Sequence, residues 1–307
     1  MNILFLFLDG IGIGRDDPGL NPFAELDLPS FEKLAGGHRW IEGTPETREP
    51  DRLFTAIDSN LGMEGLPQSG TGQATLFTGV NCAQIADRHY GPFPHSKTKP
   101  TIEGLNVFRR LEELFPDESE PCAFANAYPE RFFGYVEKRD RWTVTTRSCL
   151  HSNTRIRSTD DLRNGLAVPA DLTGKRWPEP VDENMMPADE RAAARRLLRI
   201  ASRHHFTLFE YFFTDKAGHK QSPDQARRVL TSLDILLDEI LTGMQIDEVL
   251  LLLTSDHGNL EDLSTKSHTR NPVPFVAYGR GADEFGAVKS LVDVTPAIVA
   301  LFGGGEG

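Results

Sequence analysis

Short, continuous apolar runs alternate with longer helix-like segments along this chain. Residues 3–8, 249–253 and 274–279 are runs of strand length, and residues 206–213 form another mostly apolar run. Runs without polar alternation are typical of strands that are buried on both faces of a parallel sheet. The alternation of such strands with helices predicts an α/β fold with a mainly parallel sheet flanked by helices.

Amphipathic segments and capping residues predict the helices between these strands. The predicted helices cover residues 101–116, 188–205, 222–241 and 290–303. Ser222 is a suitable N-cap, and Pro223 takes the first helical position, where its missing N–H costs nothing. Gly303 is the expected stop of the last helix.

The middle of the chain has a different character from its two ends. Residues 87–100 and 165–187 are rich in proline and lack hydrophobic periodicity. Between them, short strands are predicted at residues 122–128, 132–137 and 142–146. We therefore predict a core formed by residues 1–88 and 186–307, with a smaller α+β cap domain inserted at residues 89–185, which would select the substrate.

Residues of the types that commonly bind metal ions follow three of the predicted strands. They are Asp9, Asp215, His219, Asp256, His257 and, one short loop later, His268. In open α/β sheets, ligands collect at the carboxyl ends of the strands. Carboxylates and imidazoles are common ligands of divalent cations, so this arrangement indicates a metal site.

A candidate nucleophile lies in a glycine-rich turn. Ser69 belongs to the segment GLPQSGTGQATLFTG, residues 65–79, which is expected to enter a helix. Free N–H groups at the start of a helix favour a bound anion such as phosphate. A serine hydroxyl is a weak nucleophile at neutral pH, and metal coordination activates it.

Four segments together resemble the alkaline phosphatase superfamily of metalloenzymes. They are LDGIG around Asp9, the Ser69 turn, DKAGH from Asp215, and TSDHGN followed by SHTRNPVPF. Their order along the chain is the order found in that family. The NPVPF sequence after His268 is characteristic of one branch, the cofactor-independent phosphoglycerate mutases and phosphopentomutases, and the chain is most similar to this branch. The resemblance leaves roughly residues 90–185 unexplained.

The resemblance implies two divalent metal ions. One would be held by Asp9, Ser69, Asp256 and His257, and the other by Asp215, His219 and His268. Oxygen and nitrogen donors without cysteine suit Mn²⁺ or Zn²⁺ and do not decide between them.

The family pattern also distinguishes Ser69 from Thr71 as the nucleophile. Family nucleophiles usually lie ten residues before the glycine that closes the next helical segment, here Gly79. Gly72 occupies a position where the mutases also have glycine. Gln73 departs from the pattern, because the mutases commonly have a histidine there.

The implied function is two-metal-dependent phosphoryl transfer through a phosphoserine intermediate on a small phosphorylated metabolite. Transfer of the phosphoryl group to water would make the enzyme a phosphomonoesterase, and transfer to another hydroxyl would make it a phosphomutase. Two alternatives stay open. The chain could be a phosphodiesterase or nucleotide pyrophosphatase of the same superfamily, or a non-catalytic metal-binding regulatory protein, although no ligand or nucleophile is missing.

Four arginines are candidates for binding the anionic substrate, since a guanidinium group can hold phosphate or carboxylate through two hydrogen bonds. They are Arg147, Arg155 and Arg157 in the predicted cap, and Arg270 beside His268. Asn259 and Glu261 are candidates for orienting the metal ligands.

The composition limits the classes of binding partner and the cellular compartment that we expect for this protein. The formal net charge of −12 over 307 residues argues against binding to nucleic acid or to an anionic membrane. Three scattered cysteines predict no disulfide framework and favour the cytoplasm. The apolar start lacks the basic residues of a signal peptide, and no apolar run approaches the ~20 residues of a membrane span. We expect a small-molecule substrate, and the sequence leaves the oligomeric state open.

Overall fold

Three adjacent strands at the centre of the sheet are almost entirely buried. They are β1 (Asn2–Leu8), β7 (Phe206–Tyr211) and β8 (Val249–Thr254), and within them only Asn2 is partly exposed. Strand β1 pairs in parallel with both of the others. The computed structural model describes residues 1–179, 182 and 185–304.

Seven strands form the main sheet. In spatial order they are β2 (Thr47–Glu49), β3 (Arg52–Ile57), β9 (Val273–Tyr278), β8, β1, β7 and β4 (Cys122–Phe124). Strands β8, β1, β7 and β4 run parallel, whereas β9 is antiparallel to both its neighbours and β2 is antiparallel to β3. Because five of the seven strands share one direction, the sheet is mostly parallel and the predicted α/β class is confirmed.

Helices cover both faces of the sheet. The α-helices of the described chain are α1 (Pro22–Glu25), α2 (Pro29–Leu34), α3 (Ser69–Thr78), α4 (Cys82–Ala86), α5 (Lys99–Leu105), α6 (Val107–Glu112), α7 (Glu130–Arg139), α8 (Val144–Leu150), α9 (Thr159–Arg163), α10 (Glu190–Ala201), α11 (Phe213–His219), α12 (Pro223–Gly243) and α13 (Leu291–Gly303). Helix α12 begins as predicted, with the Ser222 side chain accepting from the Gln225 N–H and Pro223 in the first turn.

Alternate side chains of β1 supply two separate cores. Leu4, Leu6 and Leu8 pack on the face covered by α10 and α12. Phe5 and Phe7 point to the opposite face, where their rings make edge contacts with Phe77 of α3, at centroid distances of 6.3 and 5.4 Å. Burying each phenylalanine contributes about 1.5–3 kcal/mol. The first strand thereby fixes the position of the helix that begins at Ser69.

Two short strands predicted in the middle of the chain are wrong. Residues 132–137 lie within α7, and residues 142–146 lead into α8. The Thr143 side chain accepts a hydrogen bond from the Thr146 N–H and so caps α8. Aromatic and β-branched residues favour strands mainly when neighbouring strands pack against them. Helix α7 has only Val136 buried, so no such packing acts on it.

The predicted helix over residues 101–116 is divided into α5 and α6. Asn106 separates them, because its side chain accepts from the Arg109 N–H at 3.1 Å and donates to the Ile102 carbonyl at 2.9 Å. An asparagine that caps a new helix ends the previous one.

Part of the predicted insertion belongs to the main sheet. Strand β4 pairs in parallel with β7, and Phe108 of α6 packs in the same core as Phe77. A separate two-stranded sheet is formed by β5 (Asn126–Ala127) and β6 (Val168–Pro169). The predicted cap, residues 89–185, therefore shares the core through β4, and its status as a distinct domain stays a prediction.

The described helices include none with the length and apolar character needed to cross a bilayer. The three cysteines, Cys82, Cys122 and Cys149, are buried as free thiols.

Candidate metal centre

The carboxyl ends of the three central strands bring the candidate ligands to one edge of the sheet. Asp9 follows β1, the pair Asp256 and His257 follows β8, and Asp215 lies in α11, just after β7. The chain passes close to itself here. Gly10 has φ of 73°, and a Cβ on it would lie 2.8 Å from Cβ of Asp215. Glycine is required at this position both for its backbone conformation and for the close approach.

Asp215, His219 and His268 form one group. One ligand atom from each lies within 4.8 Å of the others. The His219 Nε2 atom is 3.3 Å from Asp215 Oδ2 and 3.2 Å from His268 Nε2. These short separations place potential donor atoms around a common point.

The outer nitrogens of the same two histidines fix their tautomers. Nδ1 of His219 lies 2.7 Å from the Lys266 carbonyl oxygen, and Nδ1 of His268 lies 2.7 Å from the Pro67 carbonyl oxygen. A carbonyl can only accept, so each Nδ1 carries the proton and each Nε2 presents a lone pair to the centre. Two lone pairs 3.2 Å apart repel each other, and a cation between them removes that repulsion.

A second group surrounds Ser69. Asp9, Asp215 and His257 each offer a ligand atom within 4.8 Å of the others. The His257 Nε2 atom lies 2.9 Å from Ser69 Oγ, 3.4 Å from Asp9 Oδ1 and 3.5 Å from Asp256 Oδ2. Asp215 thus belongs to both groups and joins them.

Burial makes this cluster electrostatically costly without a cation. Asp256 and His257 are fully buried, and Asp9 is 7% exposed. Burial, together with neighbouring carboxylates, raises the pKa of Asp9 well above its usual range. Burial raises the pKa of Asp256 to about 7 and lowers that of His257 to about 3.

Two carboxylate oxygens in the cluster have no hydrogen-bond partner in the described chain, Asp9 Oδ1 and Asp256 Oδ2. Buried oxygens of this kind cost free energy unless a proton or a cation satisfies them. Unpartnered carboxylates beside inward-facing imidazole lone pairs fit divalent metal ions.

Ser69 lies at the first turn of α3, with its side chain directed at His257. The N–H groups of Ser69 and Gly70 have no acceptor among the described residues, as expected in a first helical turn. A Cβ on Gly70 would lie 2.2 Å from the Phe93 carbonyl oxygen, and one on Gly72 would lie 2.8 Å from the Asp256 carbonyl oxygen. Gly72 therefore lets the turn approach the end of β8 closely, and Gly70 lets it approach the backbone of Phe93.

Polar side chains hold the ligands in place. Asn259 Nδ2 donates to Asp215 Oδ1 at 2.7 Å. Glu261 Oε2 accepts from the N–H groups of Gly12 and Asn259, each at 2.8 Å. Gln73, which stands where the mutases commonly have histidine, donates to Asp9 Oδ2 at 3.3 Å. Gln73 thus orients a candidate ligand.

Two of the arginines proposed for substrate binding are engaged in ion pairs. Arg147 is buried and pairs with Glu103 at 2.9 Å and with Asp140 at 2.6 Å. Arg155 pairs with Asp161 at 2.7 Å. Their charges are compensated by the fold, which counts against the role that the sequence suggested.

The other two arginines bind backbone. Arg157 is buried and donates to the Leu166 carbonyl oxygen, and burial lowers its pKa. Arg270 donates to the carbonyl oxygens of Met63 and Gly65, in the segment that precedes Ser69. Arg270 therefore supports the segment that precedes Ser69, whereas Arg157 joins two segments within the predicted cap.

Glu210 also belongs to this region and was not predicted from the sequence. This residue lies within β7, is 6% exposed, and has an Oε2 atom without a partner in the described chain. Burial raises its pKa to about 7, and its charge is one of the causes of the raised pKa of Asp9. The signal in the sequence is an acidic residue inside an apolar run, whereas the predicted ligands follow the runs.

Residues 181–304 match the family model described as the Metalloenzyme superfamily. The phosphopentomutase of Alkaliphilus metalliredigens is 34% identical over 89 residues, which are 28% of this chain and 23% of that protein. The 2,3-bisphosphoglycerate-independent phosphoglycerate mutase of Serratia proteamaculans is 27% identical over 229 residues, 69% of this chain and 42% of that protein. The resemblance to the alkaline phosphatase superfamily is confirmed.

Solved structures of this superfamily's fold cover the whole chain. A protein from Pyrococcus horikoshii is similar over 100% of this chain and 98% of its own, with a TM-score of 0.58 and 13% identity. A cold-active alkaline phosphatase from Shewanella sp. is similar over 98% of this chain and 100% of its own, with a TM-score of 0.53 and 11% identity. These likenesses show an alkaline-phosphatase-like fold.

The similarity to these two mutases covers only part of the length of each mutase. The matched regions make up less than half of each of the two curated relatives. The matches support a metal-dependent enzyme of phosphoryl transfer as the general class, and they leave mutase and phosphatase chemistry both open.

Proposed function

We propose that this chain catalyses two-metal-dependent phosphoryl transfer through a phosphoserine at Ser69, acting on a small phosphorylated metabolite. The observation that carries the proposal is the position of Ser69. Its Oγ atom lies at a helix start, 2.9 Å from His257 Nε2, beside buried carboxylates that have oxygens without a hydrogen-bond partner in the described chain. Membership of a metalloenzyme superfamily supports the general class of reaction.

The residues that would hold the ions are those grouped around Ser69 and His268. Asp9, Ser69, Asp256 and His257 would bind one ion, and Asp215, His219 and His268 would bind the other. Mn²⁺ and Zn²⁺ both suit these oxygen and nitrogen donors. Bound divalent ions lower the pKa of a coordinated hydroxyl and neutralise charge on the phosphoryl oxygens.

The chain's own groups account for the remaining parts of the reaction. Ser69 Oγ, having lost its proton, forms a bond to phosphorus while the ester P–O bond breaks, and the departing alcohol oxygen takes up a proton. The N–H groups of Ser69 and Gly70, which have no acceptor among the described residues, would donate hydrogen bonds to phosphoryl oxygens. A second oxygen nucleophile then attacks phosphorus, loses its proton, and the bond to Ser69 breaks.

The identity of that second nucleophile separates two enzymes. Water gives a phosphomonoesterase, and a hydroxyl of the substrate gives a phosphomutase. The two curated relatives are named as mutases. In this chain Gln73, rather than histidine, contacts Asp9.

We propose that the predicted cap, residues 89–185, selects the substrate, and that the protein is cytoplasmic.

The test is an assay with Mn²⁺ or Zn²⁺ on wild type, Ser69→Ala and the matched control Ser96→Ala, an exposed serine. The substrates are p-nitrophenyl phosphate, sugar phosphates and phosphoglycerates, with products resolved by ³¹P NMR. We expect metal-dependent turnover that Ser69→Ala loses and Ser96→Ala keeps. An isomerised ester would identify a mutase, and free phosphate would identify a phosphatase.

Two other outcomes would overturn the proposal. Faster turnover of bis-p-nitrophenyl phosphate than of the monoester would identify a diesterase. Tight binding of two ions without turnover of any ester would identify a non-catalytic metal-binding protein.

A further inference from the structure

Five basic side chains surround a cavity of about 260 Å³. They are Lys175, Arg176, Lys216, Lys220 and Arg228. None of the five forms an ion pair with a residue of the described ranges. Nearby exposed arginines behave differently, since Arg191 and Arg195 of α10 pair with acidic residues of α12. The cavity lining therefore carries an excess of basic side chains on a chain whose net charge is −12.

Two acidic residues of the cavity wall are occupied by other partners. The Asp171 carboxylate accepts from the backbone N–H groups of Gly174 and Arg176, each at 2.8 Å. Glu190 Oε1 accepts from the Ser232 hydroxyl at 2.9 Å. Both carboxylates keep their negative charge, so the lining carries five basic side chains against two acidic ones.

Aromatic rings hold two of the cations at the cavity. The Arg176 guanidinium carbon lies 4.6 Å from the Phe213 ring centroid. The Lys216 Nζ atom lies 4.1 Å from the Phe212 centroid and 5.0 Å from that of Phe213. A cation over a ring face is attracted by the ring quadrupole. The charged groups are thus partly ordered before any ligand arrives, which reduces the entropy lost on binding.

The cavity and the candidate metal centre share helix α11. Lys216 directly follows Asp215 in α11, the helix that also carries His219, and Tyr211 at the end of β7 lines the same cavity. Helix α12 supplies the opposite wall through Arg228. A ligand held here is therefore next to a helix that presents two candidate metal ligands.

We infer that this cavity binds a phosphate or carboxylate group. Resting on the proposed function, we further infer that this group belongs to the substrate whose phosphoryl group reacts at Ser69. Lysine and arginine form short, charge-assisted hydrogen bonds with such anions. The preferred substrate then carries two anionic groups, one at the metal ions and one in this cavity.

The binding site is tested in the metal-free protein, where the metal centre does not bind phosphate through an ion. Inorganic pyrophosphate is titrated by calorimetry into wild type and the double variant Arg176→Gln/Arg228→Gln at fixed ionic strength. The control, Arg203→Gln/Arg280→Gln, removes two exposed arginines without ion pairs elsewhere on the described surface. We expect the dissociation constant to rise about tenfold or more in the cavity variant and to stay unchanged in the control.

Equal affinity in all three proteins, or no binding to wild type, would overturn the assignment. Thermal unfolding confirms that the double variant folds. Lys216→Gln offers a second, milder removal of charge from the same cavity, and its dissociation constant should lie between those of wild type and the double variant.

A second titration tests whether the anion belongs to the substrate. With Mn²⁺ bound and its free concentration held constant, pyrophosphate should inhibit turnover of p-nitrophenyl phosphate competitively. The inhibition constant should rise about tenfold in the cavity variant. A non-competitive pattern would assign the cavity to a separate anion. The calorimetric result needs no turnover, so pyrophosphate binding without any esterase activity would refute the proposed function and leave the cavity assignment standing.

Discussion

The metal centre and the arginines of the predicted cap both contain buried charges, and they differ in how those charges are satisfied. Asp9 and Asp256 each keep one carboxylate oxygen without a hydrogen-bond partner in the described chain. Arg147 is buried to a similar degree, yet it forms two ion pairs with carboxylates. A buried charge that the fold compensates supports the fold, whereas one left uncompensated is available for a ligand.

Removing a carboxylate from the candidate metal centre should cause the largest loss of turnover and of bound metal. Asp256→Asn replaces a buried ligand with a neutral group of the same shape, so we expect turnover to fall by at least about a hundredfold with loss of metal. Metal content per chain and the rate with p-nitrophenyl phosphate measure this. Asp247→Asn, an exposed acid before β8, is the control. Full activity in Asp256→Asn would show that the carboxylate is not a ligand.

Competition between protons and metal ions for Asp256 should cause the next largest effect, a loss of metal affinity at low pH. Asp256 has a pKa of about 7 in the folded, metal-free protein because of burial. The carboxylate is protonated below that pH and must release its proton when a metal binds. Apparent metal affinity should therefore fall by about tenfold per pH unit below 7 for each proton displaced. Mn²⁺ titrations at pH 6 and 8 measure this, and equal affinities would contradict it.

The residue that orients Asp215 should matter less than the ligands themselves. Asn259→Ala removes the 2.7 Å hydrogen bond to Asp215 Oδ1, and we expect metal affinity to fall about 10- to 100-fold. Competition with a chelating dye measures the change. Asn164→Ala, an exposed asparagine of the predicted cap, should leave the affinity unchanged. An unchanged affinity in Asn259→Ala would show that Asp215 needs no such support.

Substitution of Arg147 should lower the stability of the protein and leave its turnover unchanged, which is the opposite of what we expect for the candidate ligands. Arg147→Gln removes the ion pairs of a buried guanidinium with Glu103 and Asp140, although Asp140 keeps its pair with Lys99. We therefore expect a loss of about 1–3 kcal/mol in the free energy of unfolding. Denaturant unfolding measures it. The turnover of the folded variant should match wild type. A large rise in KM at unchanged stability would restore the substrate role.

The central strands were predictable from the sequence because a strand that is buried on both faces consists of consecutive apolar residues. Asp9 and Asp256 drew attention because each follows such a run, and the carboxyl ends of parallel strands meet in space. The candidate ligands do lie together at this edge. The predicted strands at residues 132–137 and 142–146 failed because capping by Thr143 and sparse burial in α7 decide the structure there.

The arginines could not be judged from sequence, since their partners are distant along the chain. Arg147 meets Glu103, and Arg157 meets the Leu166 carbonyl, through contacts that only the fold creates. Glu210 was overlooked for a related reason. Its burial among other acids depends on which strands lie side by side. The basic cavity likewise joins residues from three separate segments, among them Arg176, Lys216 and Arg228.

The most direct test of the account is to trap the covalent intermediate. Wild type loaded with Mn²⁺ or Zn²⁺ is mixed with p-nitrophenyl phosphate, quenched in acid within the first turnover, digested and analysed by mass spectrometry. The account predicts one phosphoryl group on the peptide that contains Ser69, dependent on metal and missing in Ser69→Ala. Steady turnover with no phosphorylated peptide, or with the phosphoryl group on another residue, would contradict it.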